Sequence, residues 1–350
     1  MNYTAPSTEF RREFLSLVGQ AQTILLTAHV SPDDDSIASV LSLFYILKLK
    51  YPKKTLRIVY TGQPTKKYQS FANSDQVEFV EDLANHLGKA DLLIFLDGSQ
   101  YHRFSKQPEK LQRFAGDTIC IDHHSSPIDQ FSLSLVAPTI SSTAEIVYLS
   151  LCQDESIDKP LAELFLLGIL GDTNNFSYLK PHQTDTLITA QKLLSISQVE
   201  IQTFKARYST ISTKVFDLVS AFAENTQFHK LPGWPPFQTS HITRNYLEGR
   251  QYTENEVADA CHTYMSYFLR SITDYQWGFV TYPLSGSDCK ISLRSLPDSV
   301  NVREIVERME IGGGVNLSAG GTFKAESDQE QQPAECLSQV IDWLKTARPR

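Results

Sequence analysis

Acidic and histidine side chains recur at four places in the chain, and they are of the types that bind metal ions. The candidates are His29, Asp33, Asp35, Asp97, Asp122, His123, His124 and Asp172. Several carboxylates and imidazoles in one place would repel one another, or have strongly shifted pKa values, unless a cation lay among them. The residue types therefore predict a metal centre, provided that the fold brings them together.

The ligand types also indicate which ions would bind. Carboxylates and imidazoles without a thiolate favour Mn²⁺, with Mg²⁺ or Co²⁺ as alternatives, over structural zinc or calcium. At least six candidate ligands exceed what one catalytic ion usually takes from a protein, so we expect two ions about 3.5 to 4 Å apart with one bridging carboxylate. Such pairs hydrolyse phosphate esters, because a water bound to the ions becomes a hydroxide nucleophile near neutral pH.

Each motif alone also has a purely structural explanation. Asp33 and Asp35 fit the N-terminal cap of a helix that follows them. Asp97 precedes Gly98 and fits a turn, as does the pair His123 and His124. The recurrence of all these motifs at the ends of predicted elements favours the metal centre.

The elements that must position these residues are predicted in the first half of the chain. Short apolar runs alternate there with helical patterns, which is typical of an α/β fold with a mainly parallel sheet flanked by helices. Predicted strands lie at 23–28, 56–60, 92–97 and 118–122, and 36–50 is a largely buried helix. Three of the four strands end at a motif. Ligands bind outside the carboxyl ends of strands in open α/β sheets, so we expect the motifs to converge.

The length of 350 residues favours two domains over one. Beyond about residue 190 the pattern becomes more helical and polar, and "HKLPGWPPFQ" interrupts it with three prolines and a glycine. We assign residues 1–195 to the metal-binding domain, 196–232 to a helical linker and 233–350 to a smaller α+β domain.

Composition excludes several classes of function. A formal charge of −8 argues against a protein that coats long nucleic acids. Five scattered cysteines without CxxC spacing indicate neither a disulfide framework nor a zinc ribbon. The chain begins without a signal-peptide pattern and has no apolar run of roughly 18 residues, so we expect a cytoplasmic protein without a membrane partner. The oligomeric state is not decided, and a homodimer remains an option.

The motifs resemble those of a known family. HxxxDxD, the isolated Asp97, "DHH" and the later "GDT" are similar, in order, to the four motifs of the DHH phosphoesterase superfamily. "SSTAEIVY", "ISLRS" and a "GGG" stretch extend the resemblance over about 300 residues. They are most similar to the NrnA-type oligoribonucleases. These enzymes remove nucleotides from very short RNAs and often dephosphorylate 3′-phosphoadenosine 5′-phosphate.

The resemblance implies roles for the clustered residues. The ligands of the first ion would be His29, Asp33 and Asp97, and those of the second would be Asp35, Asp97, His123 and Asp172, with Asp97 bridging. His124 would lie beside the scissile phosphate, and Asp122 would orient the histidines. Members of the family prefer Mn²⁺.

The C-terminal half resembles the DHH-associated substrate-binding domain, in which an arginine and a glycine loop hold the phosphate and base of the substrate. The matching residues are Arg294, Ser295, Gly312, Gly313, Gly314 and Asn316. Relatives read GGGH, whereas Val315 stands here in place of the histidine. Glycine amides can still face an anion, but a valine side chain cannot donate to one. Tyr267, Tyr275 and Trp277 could stack on a base, although packing is the simpler role for each.

We therefore predict a phosphoesterase that acts on short oligonucleotides or nucleotide phosphates in a cleft between two domains. A long duplex is not expected as a substrate, because it would call for a basic stripe. Hydrolysis of cyclic or linear dinucleotides is an alternative. A non-catalytic nucleotide-binding protein is the alternative from another class, and the presence of all six candidate ligands argues against it.

Overall fold

The structure is a computed structural model that describes residues 8–30, 32–65, 67–125, 127–153, 155–269, 271–284, 286–324 and 332–347. The chain divides into two compact units, an N-terminal unit that ends at Thr210 and a C-terminal unit that begins at Ile211. Each unit has its own six-stranded sheet and its own hydrophobic core. In the part of the chain that is described, no helix is long and apolar enough to cross a membrane.

The sheet of the N-terminal unit is parallel throughout. Its strands are β1 (Thr23–Ala28), β2 (Thr55–Thr61), β3 (Val77–Val80), β4 (Leu92–Leu96), β5 (Asp117–Asp122) and β6 (Leu133–Val136). The spatial order is β3-β2-β1-β4-β5-β6. The chain runs outward from β1 to one edge and then from β4 to the other, so the order reverses between β1 and β4. Ligands of open α/β sheets bind at such a switch point.

Seven helices accompany this sheet among the described residues. They are α1 (Thr8–Gln20), α2 (Asp34–Lys50), α3 (Pro108–Gln112), α4 (Thr143–Leu151), α5 (Lys159–Asp172), α6 (Thr186–Ser197) and α7 (Ile201–Ala206). Helices α2, α4 and α5 pack against one another and are buried over most of their length. Their apolar residues therefore occupy nearly every face, since a helix surrounded by others has no solvent side.

The fold class expected from the sequence is confirmed. All four predicted strands are present within one residue of their predicted ends, and the helix predicted at 36–50 begins two residues earlier, at Asp34. Strands β3 and β6 were not predicted. Both are four-residue edge strands in which only Val80 is buried, so they lack the continuous buried apolar run that marks the central strands.

The C-terminal unit has a mixed sheet with the order β11-β12-β10-β9-β8-β7. Its strands are β7 (Gln227–His229), β8 (Phe237–His241), β9 (Trp277–Pro283), β10 (Cys289–Ser295), β11 (Gly312–Val315) and β12 (Ser318–Phe323). Its helices are α8 (Thr213–Glu224), α9 (Arg244–Leu247), α10 (Glu254–Tyr267), α11 (Val302–Arg308) and α12 (Pro333–Thr346). One core cluster contains residues of α11 and α12, and the other contains residues of α8 and α10. Strand β9 contributes to both clusters, which explains its continuous burial.

The segment assigned to a linker, 196–232, divides between the two units. Phe204 of α7 lies in the core of the N-terminal unit, whereas Leu218 and Phe222 of α8 lie in a core of the C-terminal unit. The polar character of this segment comes from amphipathic helices that bury one face each.

Candidate metal centre

The six predicted metal ligands lie together at the carboxyl ends of β1, β4 and β5. Together with His124, they form the groups His29, Asp33 and Asp97; Asp35, His123 and Asp172; and Asp97, His123 and His124. Within each group, one ligand atom from each residue lies within 4.8 Å of the others. Asp97 and His123 each occur in two groups, so the groups form one continuous cluster.

Asp97 occupies the centre of this cluster. It follows β4, is 1% exposed, and has a φ of 59°, in the left-handed region that aspartate tolerates better than most residues. Its Oδ2 lies 3.2 Å from His29 Nε2, and its Oδ1 lies 3.6 Å from His123 Nε2. The two oxygens of one buried carboxylate thus face two different groups of candidate ligands.

His29 follows β1 and presents Nε2 to the cluster. Its Nδ1 lies 2.8 Å from the carbonyl oxygen of Val30. A carbonyl oxygen can only accept, so Nδ1 carries a proton and Nε2 is the nitrogen that can bind a cation. Nε2 also lies 3.3 Å from Asp33 Oδ2.

Asp33 is both the cap of α2 and a candidate ligand. Its Oδ1 accepts from the backbone N–H of Ser36 at 2.9 Å, and its own N–H donates to Ser36 Oγ at 2.9 Å. The capping role therefore uses one carboxylate oxygen and leaves Oδ2 directed at His29. The structural and the metal-binding explanations of this residue are compatible.

Asp35 is fully buried and is held by the start of α4. Its Oδ2 accepts from the N–H of Thr143 at 2.7 Å, and its Oδ1 accepts from the N–H of Ala144 at 2.9 Å. These two amides belong to the first turn of α4, where helix N–H groups lack partners within the helix. The arrangement fixes the carboxylate of Asp35 beside His123 and Asp172.

His123 and Asp172 form the closest pair in the cluster. His123 Nε2 lies 2.8 Å from Asp172 Oδ2. Burial by itself lowers the pKa of His123, but the charge and hydrogen bond of Asp172 and the charge of Asp97 raise it to about 10. Without a cation, a proton on His123 thus offsets part of the negative charge.

The pKa values of Asp35 and Asp172 show the same excess of negative charge. Burial raises the pKa of Asp35 well above its usual range, and the charges of Asp172 and Asp97 raise it further. The pKa of Asp172 is also raised by burial and by Asp97, although His123 opposes the shift. Deprotonating all these acids requires compensating positive charge. A divalent metal ion would supply this positive charge, and it binds the oxygen and nitrogen atoms that these side chains offer.

His124 is held by Asp122 rather than by the other candidate ligands. Its Nδ1 lies 2.8 Å from Asp122 Oδ1, and its backbone N–H donates to the same oxygen at 3.1 Å. Asp97 Oδ1 is farther from Nδ1, at 3.5 Å. Burial by itself raises the pKa of Asp122, but the hydrogen bonds and charge of His124 lower it below its usual range. The carboxylate thus stays charged and fixes the ring, which leaves Nε2 for another group.

Two supporting residues were not predicted from the sequence. Thr143 donates from Oγ1 to Asp97 Oδ1 at 3.2 Å, in addition to its N–H contact with Asp35. Gly168 of α5 lies where a Cβ would come within 2.6 Å of Asp35 Oδ1. The "SST" stretch before α4 is a recognisable cap signal, with Ser142 as the cap. A single glycine in an apolar helix gives no comparable signal.

The predicted substrate-binding residues all lie in the C-terminal unit. Arg294 and Ser295 end β10, and Arg294 is half-buried. The hydroxyl of Ser295 is buried, accepts from the N–H of Val300 at 3.1 Å and donates to the carbonyl of Leu296 at 3.1 Å. These bonds close the turn after β10, so in this structure the hydroxyl serves the turn.

Gly312, Gly313 and Gly314 form most of β11 rather than a loop. They pair with Gly321, Gly320 and Ala319 of β12. A Cβ at Gly314 would lie 2.5 Å from the carbonyl oxygen of Ser318, and φ there is +147°, so this position requires glycine. Asn316 is an exposed turn residue between β11 and β12, and Val315 is 55% exposed.

Of the three aromatic residues considered for base stacking, Trp277 is excluded by its burial. It is 0% exposed and packs against Phe237 and Trp234 in the core. Tyr267 is 63% exposed, and Tyr275 packs against Phe228 with ring centroids 4.7 Å apart. Burial thus decides which aromatic residues could stack on a base, and the neighbouring sequence does not reveal which of them are buried.

Part of the N-terminal unit is similar to a known family of domains. Residues 23–169, which include all of the cluster except Asp172, match the model of the DHH family, N-terminal domain. The bifunctional oligoribonuclease and PAP phosphatase NrnA of Bacillus subtilis is 28% identical over 209 residues. That alignment covers 57% of this chain and 61% of the relative.

Two further comparisons extend over nearly the whole chain. The probable bifunctional oligoribonuclease and PAP phosphatase NrnA of Streptococcus mutans is 25% identical, and the alignment covers 91% of this chain and 95% of the relative. The crystal structure of an exopolyphosphatase-related protein from Bacteroides fragilis superposes with a TM-score of 0.83 at 21% identity, covering 99% of both chains. The two-unit fold is therefore shared with a solved structure.

Proposed function

We propose that this protein is a metal-dependent phosphoesterase that hydrolyses short oligoribonucleotides and 3′-phosphoadenosine 5′-phosphate, since residues 23–169 match the model of the DHH family, N-terminal domain. The observation that carries the proposal is the position of Asp97, whose two oxygens face separate groups of candidate ligands. The names of the relatives from B. subtilis and S. mutans contain the same two activities.

The donor set supports two divalent ions, with Mn²⁺ as our first choice and Mg²⁺ or Co²⁺ as alternatives. One ion would be held by His29, Asp33 and Asp97, and the other by Asp35, Asp97, His123 and Asp172. When bound, the ions supply positive charge that promotes attack of water on phosphorus. The protein contributes the rigid placement of the ligands, which the N–H groups at the start of α4 and the Val30 carbonyl secure.

His124 is proposed to contact the substrate directly. Asp122 holds Nδ1, so the ring presents Nε2 to a group outside the cluster. In the protonated imidazole, Nε2 can donate to a phosphate oxygen or to the departing oxygen. His124 would thus supply a proton as the ester bond breaks, and Asp122 would keep the ring in position.

The C-terminal unit is proposed to bind the rest of the substrate through Arg294, Gly312, Gly313, Gly314, Ser295 and Asn316. Strand β11 is at the edge of its sheet, and an edge strand has backbone N–H groups that the sheet does not use. Arg294 would bring a guanidinium to a phosphate. Val315 adds an exposed apolar side chain where a histidine would add a donor, which favours weaker substrate binding at that point. A cytoplasmic location agrees with the five buried free cysteines.

Product analysis after incubation with Mn²⁺ tests the proposal. The panel contains RNA dimers to pentamers, 3′-phosphoadenosine 5′-phosphate, linear and cyclic dinucleotides, and polyphosphate. We expect mononucleotides from the short RNAs and AMP from 3′-phosphoadenosine 5′-phosphate, with no turnover by the Asp97→Asn variant. Preferred cleavage of cyclic dinucleotides would replace the proposed substrate. No turnover of any member by metal-loaded protein would favour a nucleotide-binding protein.

A further inference from the structure

Arg103 lies in a turn that is hydrogen-bonded to the residue after His29, and no described acid neutralises its charge. It ends the 3₁₀ turn Tyr101–Arg103, which follows Asp97 in the chain, and it is half-buried. Its guanidinium makes no hydrogen bond or ion pair within the described residues. Leaving a partly desolvated cation without a partner is unfavourable, so its position calls for an explanation.

One backbone hydrogen bond and one contact between aromatic rings fix the turn of Arg103 relative to the metal centre. The N–H of Val30, the residue after His29, donates to the carbonyl oxygen of Arg103 at 2.8 Å. The next residue, Phe104, is fully buried and packs on Phe95 of β4 with ring centroids 4.8 Å apart. The turn is therefore tied to the segments that carry His29 and Asp97.

The side chain of Arg103 passes close to Gly98, the residue that follows Asp97. A Cβ at Gly98 would lie 3.6 Å from Arg103 Cδ and 2.9 Å from Phe104 Cζ. The aliphatic part of Arg103 thus lies at ordinary contact distance from this position, whereas a Cβ would collide with Phe104. A guanidinium on such a stem is positioned more precisely than one on a free surface side chain.

Two other cations of the N-terminal unit, near α2 and α5, have acidic partners. Lys67 Nζ lies 2.6 Å from Asp34 Oδ1, and Arg207 Nη1 lies 2.5 Å from Glu163 Oε2. Their charges are used within the fold. The charge of Arg103 remains available to an anion that approaches the cluster.

We propose that Arg103 binds a phosphate group of the substrate beside the metal centre. The guanidinium is planar and can donate two parallel hydrogen bonds to phosphate oxygens. It would also counter the repulsion between the phosphate and the surrounding carboxylates. This inference rests on the proposed function and adds a phosphate contact in the N-terminal unit to those proposed for the C-terminal unit.

Binding of AMP and of adenosine to the Mn²⁺-loaded protein, measured by calorimetry, tests the proposal without turnover. Arg103→Ala should weaken AMP binding by roughly 10- to 100-fold, as expected for a charge-assisted hydrogen bond. It should leave adenosine binding unchanged, because adenosine has no phosphate. The affinity of Arg103→Lys for AMP should lie between those of the parent protein and Arg103→Ala, since a lysine keeps the charge without the bidentate geometry.

Arg113→Ala is the matched control, because Arg113 is exposed and caps α3 in the same unit. It should bind AMP as the parent protein does, and all variants should hold the same amount of Mn²⁺. An equal loss for AMP and adenosine would assign Arg103 a structural role and overturn the proposal. AMP binding within twofold of the parent, or no AMP binding by the parent, would also overturn it.

The result of this binding test can be distinguished from the result of the substrate panel that tests the proposed function. If the parent protein hydrolyses no substrate of the panel but binds AMP in an Arg103-dependent way, the phosphate site stands and the proposed function fails. If the parent hydrolyses short RNAs and Arg103→Ala leaves both KM and AMP binding unchanged, the proposed function stands and the phosphate site fails.

Discussion

At the scale of single residues, the geometry around Asp97 distinguishes it from the other acids of the cluster. Each of its oxygens faces a different histidine, and Thr143 donates to one of them. Asparagine has nearly the same shape but lacks the charge and one acceptor. A substitution by asparagine therefore tests the bridging role with little change in packing.

We expect Asp97→Asn to weaken Mn²⁺ binding by more than about 100-fold, because loss of even supporting residues costs roughly 10- to 100-fold in metal affinity. Metal content after dialysis measures the effect. Without metal, the variant should be at least as stable as the parent, since one source of repulsion among the carboxylates is gone. The control is Asp117→Asn, an exposed position at the start of β5. Full metal content in Asp97→Asn would refute bridging.

A second prediction at this scale concerns Asp122 and His124. His124→Ala should lower kcat by roughly 100-fold or more while metal content stays normal, as expected for loss of a proton donor. Asp122→Asn should have a smaller effect, because its role is to hold the ring. The double variant should be no slower than His124→Ala, since both changes remove one function.

Rates and metal content of the three variants decide between the possible roles of this pair. Losses of kcat that multiply in the double variant would mean that Asp122 acts independently of His124. Loss of metal in His124→Ala would instead make His124 a ligand, which its place in the group with Asp97 and His123 allows.

At the scale of elements, the metal centre depends on how closely α5 approaches α2 and α4. Gly168 permits this approach, because a Cβ there would meet Asp35 Oδ1 and Ala144 Cβ. Asp35 is in turn fixed by the first N–H groups of α4. The packing of three buried helices thus determines where one candidate ligand lies.

Gly168→Ala should destabilise the protein by about 1–3 kcal/mol, the usual cost of overpacking a core, and should weaken Mn²⁺ binding. Urea unfolding with a chelator present measures the loss of stability without a contribution from Mn²⁺ binding. Gly19→Ala is the matched control in α1, where a Cβ would meet nothing within 4 Å. It should stabilise the protein by about 0.5–1 kcal/mol, because alanine favours a helix over glycine. Equal stability of the two variants would show that α5 can move away at no cost.

At the scale of the whole molecule, folding and metal binding are expected to be linked. The candidate ligands come from segments between His29 and Asp172, so they lie together only in the folded chain. An ion that binds the folded state alone stabilises it by about 2.7 kcal/mol when its free concentration is 100 times Kd. Burial and neighbouring carboxylates raise the pKa values of Asp35 and Asp172. Like the metal site, these surroundings exist only in the folded chain.

Mn²⁺ should therefore raise Tm, and a chelator should reverse the change. Thermal unfolding at several Mn²⁺ concentrations measures the effect, and Asp97→Asn should show little or none of it. A similar rise in that variant would mean that Mn²⁺ stabilises the protein at other sites.

The sequence by itself determined the parallel sheet, the buried helices and the types of the metal ligands. Continuous apolar runs are readable because the central strands and helices are buried on all sides, and each ligand directly follows or opens such an element. The edge strands β3 and β6 were not readable, since partial exposure leaves them no distinctive pattern.

Only the tertiary structure decided which residues meet. The switch of strand order between β1 and β4 brings together His29 and Asp97, which are far apart in the chain. The close packing of α5 at Gly168 and the turn that carries Arg103 depend in the same way on contacts between distant segments. Local propensities act over a few residues, whereas these placements follow from how whole elements pack.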